Sequence, residues 1–360
     1  MAESLTDSVS GAATYTTAQL PGIGGIFKHE PEDFVVEEIP AYEPGGEGEH
    51  LFLWVEKRDV AAEQLVGYLS KALGVSRNSI GVAGLKDRRA ITRQYVSVPA
   101  GVEEKVTAGI DTHDIRVLKA IRHRNKLHTG HLQGNRFEIV LRNVSDDALA
   151  RARAIGEEIS RLGFPNRFGT QRFGRENETL KLGLELLQGK KSPREIAPGR
   201  RKFLSRLALT AVQSALFNAV LDARAADGTL HTVLPGDVMQ KVTSGGCFVV
   251  TEPAVDQGRF DRREIVPTGP LFGVKMKQAG GQVAEREQQV LDRFELTLQQ
   301  FAAVRRQLPG ARRALLAWPE GLDVDEVPEG IRFRFALASG VYATAMLSEF
   351  MKSEATGEGS

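Results

Sequence analysis

Cysteine is nearly missing from this chain: Cys247 is the only one in 360 residues. An intrachain disulfide is excluded, and a reducing, cytoplasmic setting is expected. In Gly245-Gly246-Cys247-Phe248-Val249-Val250 the thiol reads as a small buried hydrophobe. Long apolar runs are missing too. None approaches the roughly 20 residues that span a bilayer, so no membrane association is expected. The first twenty residues have neither the basic start nor the apolar core of a secretory signal. They are rich in Ser, Thr and Ala, and residues 1–20 are expected to form a disordered leader. Residues 352–360 are read as a disordered tail. Without a secretory signal, the acceptor patterns Asn143-Val144-Ser145 and Asn177-Glu178-Thr179 are not read as glycosylation sites.

Several chemistries lack their signatures. Gly22 to Gly25 fits neither a phosphate loop nor a dinucleotide fingerprint, so no small-molecule cofactor is expected. No order of Ser, His and Asp suggests a hydrolase. His123, His128 and His131 have a ligand-like spacing, but no cysteine is near and the surrounding basic run would repel a cation. No metal is therefore expected.

Net charge is also small, +1 from 47 Lys and Arg against 46 Asp and Glu, but the charge is unevenly spread. Residues 30–49 carry Glu30, Glu32, Asp33, Glu37, Glu38, Glu43, Glu47 and Glu49 with no base. Residues 115–137 carry Arg116, Lys119, Arg122, Arg124, Lys126 and Arg136 with no acid. Residues 190–206 set Lys190, Lys191, Arg194, Arg200, Arg201, Lys202 and Arg206 against Glu195 alone. Such stretches are either unrelated solvated faces or, if the fold gathers them, a groove for a polyanion.

What is present is an ordinary globular composition, 41% hydrophobic and 26% charged, long enough for two domains. Leu51-Phe52-Leu53-Trp54-Val55 reads as a buried strand, and residues 60–73 as a helix stopped by Gly74. Residues 137–142 and 332–337 alternate like strands. Residues 201–227 form a long helical pattern ended by Gly228, residues 235–273 alternate short β-runs with Gly and Pro, and residues 280–306 are polar and helical. Distant strands with helical segments between them predict an α+β class, a mostly antiparallel sheet flanked by helices. The stretch 161–309 is predicted to be an inserted domain, with 21–160 and 310–351 forming a discontinuous core.

The most informative segment is Gly84-Leu85-Lys86-Asp87-Arg88-Arg89-Ala90-Ile91-Thr92-Arg93-Gln94-Tyr95. One carboxylate, Asp87, lies in sequence among Lys86, Arg88, Arg89 and Arg93, and cations nearby favour its ionised form. The apolar run that follows suggests a short element at a sheet edge. By itself the segment reads either as an ion pair pinning a loop or as a site for chemistry on a nucleotide. The pattern Gly-x-Lys-Asp-Arg-x-Ala-x-Thr-x-Gln resembles the signature of the tRNA pseudouridine synthase D (TruD) family, with seven defined positions in eleven.

Other segments carry the same resemblance in the same order, from about residue 24 to 351. Lys28, Pro31, Asp33, Phe34, Val36 and Glu38 match the N-terminal motif, and Gly134-Asn135-Arg136-Phe137 resembles its Gly-Asn-x-Phe. Phe164 to Gly174 resembles Pro-Asn-x-Phe-Gly-x-Gln-Arg-Phe-Gly; its aromatics suit either an RNA loop or a packed corner. Residues 209–218 and Pro267-Thr268-Gly269-Pro270-Leu271 resemble motifs of the inserted domain. Ser339-Gly340-Val341-Tyr342-Ala343-Thr344 resembles the C-terminal core motif, with Tyr342 where members can carry Phe.

The resemblance implies a pseudouridine-synthase-like core with an inserted α/β TRUD domain. It further implies isomerisation of a tRNA uridine, at position 13, with Asp87 catalytic, attacking the sugar or abstracting a proton from it. Lys28, Phe34, Asn135, Phe137 and Tyr342 are expected to bind the uridine. Lys86, Arg88, Arg172, Arg200, Arg201 and Lys202 are expected to contact RNA. The expected partner is tRNA and the expected state a monomer. The alternatives are a non-catalytic RNA-binding or RNA-chaperone protein on the same scaffold and a small-molecule enzyme.

Overall fold

A computed structural model describes residues 14–352. The described residues fall into two compact units. One holds residues 19–161, 318–343 and those from 347 onward; the other holds 162–317, with 14–18 and 344–346.

The first unit is built on a nine-stranded sheet. Its strands are β1 (Gly24–Ile26), β2 (Phe34–Pro40), β3 (His50–Arg58), β4 (Gly81–Val82), β5 (Ile91–Pro99), β6 (Ile115–His123), β7 (Leu132–Val144), β8 (Glu320–Val327) and β9 (Gly330–Ala338). The main order is β8-β9-β7-β2-β5-β3-β6, with β1 on β7 and β4 on β5. Only the β2–β5 pairing is parallel. Direct cross-strand partners share a sheet face. Ile331, Phe333, Phe335 and Leu337 therefore lie with Leu141, Ile139, Phe137 and Asn135, and these continue into Phe34, Val36 and Glu38. That face is apolar and buried; on the other, Arg332 and Arg334 pair with Asp325 and Asp323. Alternation along each strand thus sorts core from water.

Helices cover the apolar face. Helix Ala62–Leu73 sets Leu65, Leu69 and Leu73 against Leu51, Leu53, Val55, Val96 and Val98. It ends at Gly74, whose φ of 71° is the left-handed turn that glycine adopts without cost. Phe350, on helix Ala343–Met351, meets Phe333 edge to face at 4.6 Å.

The second unit centres on helix Arg201–Ala226, whose Leu209, Ala211, Val212, Ala215, Leu216 and Phe217 are buried. By length and hydropathy this helix could cross a bilayer, but it is the core of its unit. Beside it lies an antiparallel sheet in the order Cys247–Val249, Val238–Lys241, Ile265–Leu271, Ala311–Ala314. Pairing of Ala311–Ala314 with Ile265–Leu271, and of Leu316–Ala317 with Phe164–Pro165, holds residues 311–317 in this unit. The boundary therefore falls at 317, later than the expected 309. The polar stretch 280–306 is two helices, Gly281–Arg293 and Leu298–Ala303, broken where Glu295 turns left-handed at φ 54°.

Two terminal readings change. Residues 14–20 were expected within a disordered leader, yet Thr17 is fully buried and the Thr14 hydroxyl donates to Asp222 at 3.3 Å. Residues 1–13 and 353–360 lie outside the described residues. Cys247, expected to be buried, is half-exposed on an edge strand.

Gly134 marks where strand pairing leaves no room. A Cβ there would stand 2.2 Å from the Leu337 carbonyl oxygen. Gly134→Ala should cost at least about 2 kcal/mol by prising β7 from β9, read as a lowered urea midpoint. An unchanged midpoint would contradict this register.

Candidate active site

Asp87 lies in the loop between β4 and β5, and β5 is an inner strand. The expected sheet-edge position is therefore corrected. The charge environment differs as well. None of the four cations beside Asp87 in sequence is its ion-pair partner. Lys86 Nζ pairs with Glu38 at 2.9 Å, Arg88 with Asp59 at 3.6 Å, and Arg93 with Glu56 at 2.8 Å, while Arg89 donates to the His29 carbonyl. Consecutive side chains diverge, so sequence neighbours seldom meet.

The cations that do meet Asp87 come from elsewhere. Lys28 Nζ stands 3.0 Å from Asp87 Oδ1. It also lies 4.1 Å from the centroid of the Phe34 ring, a cation–π contact. Lys28 itself has φ 57°, a left-handed conformation that costs a non-glycine residue of order 1 kcal/mol. Lys57, fully buried on β3, donates to the Asp87 main-chain carbonyl at 2.7 Å. Burial pushes the Lys57 ammonium down to about 8, Asp87 opposing and Lys86 adding to the shift.

Lys86 is placed differently from the expectation of an RNA contact. With Glu38 it forms a buried ion pair, and Glu38 Oε1 also accepts from the Tyr95 amide at 3.4 Å. Glu38, in register with Asn135, completes the site. Its signal in the sequence was period two: Phe34, Val36 and Glu38 share the core face, where a carboxylate must find a partner. Lys57 carried no such signal within β3 except as a cation among core positions.

The other expected uridine contacts divide. Phe34, Phe137 and Phe335 form a row on the buried face, Phe34 to Phe137 at 6.1 Å edge-on and Phe137 to Phe335 at 5.2 Å stacked. Phe137 is 7% exposed, so its ring is already covered and offers little face to a base. Tyr342, at the start of helix Ala343–Met351, is 42% exposed. The Ser339 amide donates to the Gln133 carbonyl, which holds the loop before Tyr342 to the end of β7 that carries Asn135. The buried side-chain oxygens of Asn135, Thr92 and Gln94 take no hydrogen bond among the described residues. Cross-strand register puts all three on the face of Glu38 and Lys57.

His123, His128 and His131 line a separate open cavity of about 500 Å³ with Tyr42, Glu43, Asn125 and Lys126. The Tyr42 hydroxyl and His131 Nδ1 are 2.8 Å apart, and Tyr42 stacks on His123. Among the described residues no group of three His, Cys, Asp or Glu could hold a metal.

In the second unit, Phe164, Phe168 and Phe173 are buried. The Phe168 amide donates to Asn218 Oδ1, Asn218 returns a bond to the Phe168 carbonyl, and the Arg313 guanidinium covers the Phe168 ring at 4.2 Å. The aromatic rings of segment 164–174 are therefore packed, while Gly169, Thr170 and Gln171 are exposed and Arg172 is half-buried with Nε 3.4 Å from Ser214 Oγ. Arg201 donates to the carbonyls of Ile196 and Arg194 and so braces its own helix start. Arg200, Lys202 and Arg206 are exposed and take no acidic partner among the described residues. Between them Phe203 is 69% exposed, an aromatic that the charge pattern alone passed over. The basic stretch at 115–137 is different, because Arg122, Arg124 and Arg136 pair with Glu103, Glu47 and Glu37.

Comparisons with known proteins show the family. The family model "tRNA pseudouridine synthase D (TruD)" matches residues 10–193 and 201–350. The chain belongs to the TruD family. It is 40% identical to the tRNA pseudouridine synthase D of Anaeromyxobacter dehalogenans (strain 2CP-C), over 95% of this chain and 97% of that one. It is 41% identical to a protein of that name from Thermus thermophilus, over 95% of this chain and 92% of that one. The crystal structure of a putative tRNA pseudouridine synthase D from Methanosarcina mazei superposes with a TM-score of 0.77 at 26% identity, covering 98% of each chain.

Lys57 generates a pH signature. Its folded-state value lies below that of an exposed lysine, so between about pH 8 and 10.5 the unfolded chain binds more protons. The penalty for burying the charge is fully present below pH 8 and relieved as pH rises. In wild type this group should add about 2 kcal/mol to unfolding free energy from pH 8 to pH 10, a rise that Lys57→Met should lack. Urea unfolding of both at the two pH values measures the difference.

Proposed function

We propose that this TruD-family protein is an isomerase that converts uridine to pseudouridine in tRNA, at position 13, with Asp87 as the catalytic carboxylate. The reaction breaks the N1–C1′ bond, turns the uracil, and joins C5 to C1′. The proton lost from C5 is balanced by one gained at N1, so the sum is an isomerisation with no net redox change. Asp87 either attacks C1′ or removes a proton from the sugar; both routes need a carboxylate fixed against the ribose.

The observation that carries this reading is the Lys28–Asp87 pair, together with buried, unsatisfied oxygens on the sheet face of Lys57, which holds the Asp87 carbonyl. Asp87 is half-exposed, so it can meet a substrate, while Lys28 and Lys57 hold it from inside. A carboxylate that is already oriented loses little entropy on reaching the transition state. Asn135 Oδ1 is a buried acceptor awaiting a donor, and the N3–H of uracil is one. Leaving such an acceptor unpaired is costly, so a base that lacks the donor is disfavoured. Phe34 and Phe137 lie buried on the sheet face of Glu38 and Asn135, and Tyr342 offers an exposed ring. Lys86 serves the loop through Glu38 instead of the RNA. Arg88 is exposed beside Asp59 and remains available to phosphate. Arg200, Lys202 and Arg206 would grip the backbone around Phe203, whose ring suits stacking on an unpaired base. Their lack of acidic partners favours this reading over that of a braced helix start, which fits Arg201.

Asp87→Asn should abolish pseudouridine formation, by more than about a thousandfold or roughly 4 kcal/mol of barrier, with tRNA affinity kept. Mapping pseudouridine in unmodified tRNA after incubation tests it. Activity within tenfold of wild type would remove Asp87 from the mechanism, and turnover on small molecules without RNA would overturn the assignment.

Replacing Arg200, Lys202 and Arg206 together by Gln should weaken tRNA binding and lower the salt slope by about 0.7 to 0.9 for each phosphate that is no longer neutralised. The melting temperature should stay put, since none of the three has an acidic partner among the described residues. An unchanged slope would mean that this face does not touch RNA.

A further inference from the structure

Leu85 is 79% exposed, the most exposed large hydrophobic side chain among the described residues. Lone exposed leucines are common and need no explanation. This one differs in where it stands and how it is held. It lies two residues before Asp87, at the position that the Gly-x-Lys-Asp pattern leaves open. The loop around it is pinned on both sides. The Ala83 carbonyl accepts from the Gly130 amide at 2.8 Å. Lys86 is buried against Glu38, and Asp87 is held by Lys57 at its carbonyl and Lys28 at its carboxylate. A flexible loop could fold an apolar side chain onto the core; this loop holds Leu85 in solvent beside the carboxylate.

A uridine within a stacked RNA cannot present its ribose and base to Asp87 without leaving the stack. The gap it leaves closes again unless something fills it, and proteins that open stacks often insert an apolar wedge such as leucine. We propose that Leu85 is that wedge: it enters the base stack of the folded RNA where the target uridine has left, and holds the base out for Asp87. The ligand is the pair of nucleobases flanking the target. The inference rests on the proposed function and makes Leu85 a positioning residue, since it touches the neighbours and not the reacting atoms.

The test uses the full-length protein and two RNAs: folded unmodified tRNA, and the same tRNA with an abasic nucleotide beside the target, whose stack is already broken. Leu85→Ala should lower single-turnover rate on the folded tRNA by about ten- to a hundredfold, with Kd within about threefold of wild type. On the abasic tRNA the defect should shrink to about twofold, and Leu85→Met should restore most of the rate on both. In an Asp87→Asn background, a 2-aminopurine beside the target should brighten on binding, and brighten much less when Leu85 is also Ala. An equal defect on both RNAs would assign Leu85 to the loop's own structure, and no defect would remove it altogether; either result overturns the wedge. If wild type forms no pseudouridine on either RNA, the reading of Asp87 fails and the wedge with it. Wild-type activity with an unimpaired Leu85→Ala would sink the wedge alone.

Discussion

Two buried ammonium groups fix the loop that carries Asp87. An ammonium taken out of water must be given hydrogen-bond acceptors, or it forces its pKa down or unfolds its surroundings. Lys86 finds Glu38, and Lys57 finds the carbonyl of Asp87 itself. Adjacent residues of the loop are thus tied to β2 and β3, strands on either side of β5. The conformation of the loop follows from these ties, and so does the direction of the Asp87 carboxylate toward Lys28. Such pairs contribute little net stability against a well-packed apolar alternative, but losing one partner leaves a buried charge exposed to its full desolvation cost. Their role is geometrical.

The same face of the sheet does two jobs. Toward β3 and β5 it is covered by helix Ala62–Leu73 and is a conventional core. Along β2, β7 and β9 it carries aromatic rings together with Glu38 and Asn135, and the first half of β5 adds Thr92 and Gln94. Polar side chains at core positions that keep unsatisfied oxygens work against stability. Asn135, Thr92 and Gln94 share their face with Lys57, which holds the Asp87 carbonyl.

The second unit obeys different constraints. Its Arg224–Asp237 and Arg312–Glu287 pairs are buried, and the Asn218–Phe168 bonds lock the 164–174 segment onto the central helix. The aromatic motif residues Phe164, Phe168, Phe173 and Phe217 are buried there. What that unit offers outward is the start of the helix, where Arg200, Lys202 and Arg206, without acidic partners among the described residues, flank Phe203 in sequence.

Much was legible along the chain because its signals are local. Period-two alternation in 137–142 and 332–337 placed core-facing strands, Gly74 stopped a helix, and the Gly-x-Lys-Asp-Arg pattern singled out Asp87. Who faces whom came only with the fold. Asp87 is met by Lys28 and Lys57 and by none of its sequence neighbours, since partners are chosen by strand register and loop path across the sheet. Lys86 and Phe137 look like surface contacts in a linear motif and turn out buried. Glu47, Glu37 and Glu103 neutralise arginines that read as a free basic stretch. Charge and aromaticity are properties of a residue, readable one position at a time. Exposure and pairing belong to its neighbours in space, and those exist only once the chain has folded.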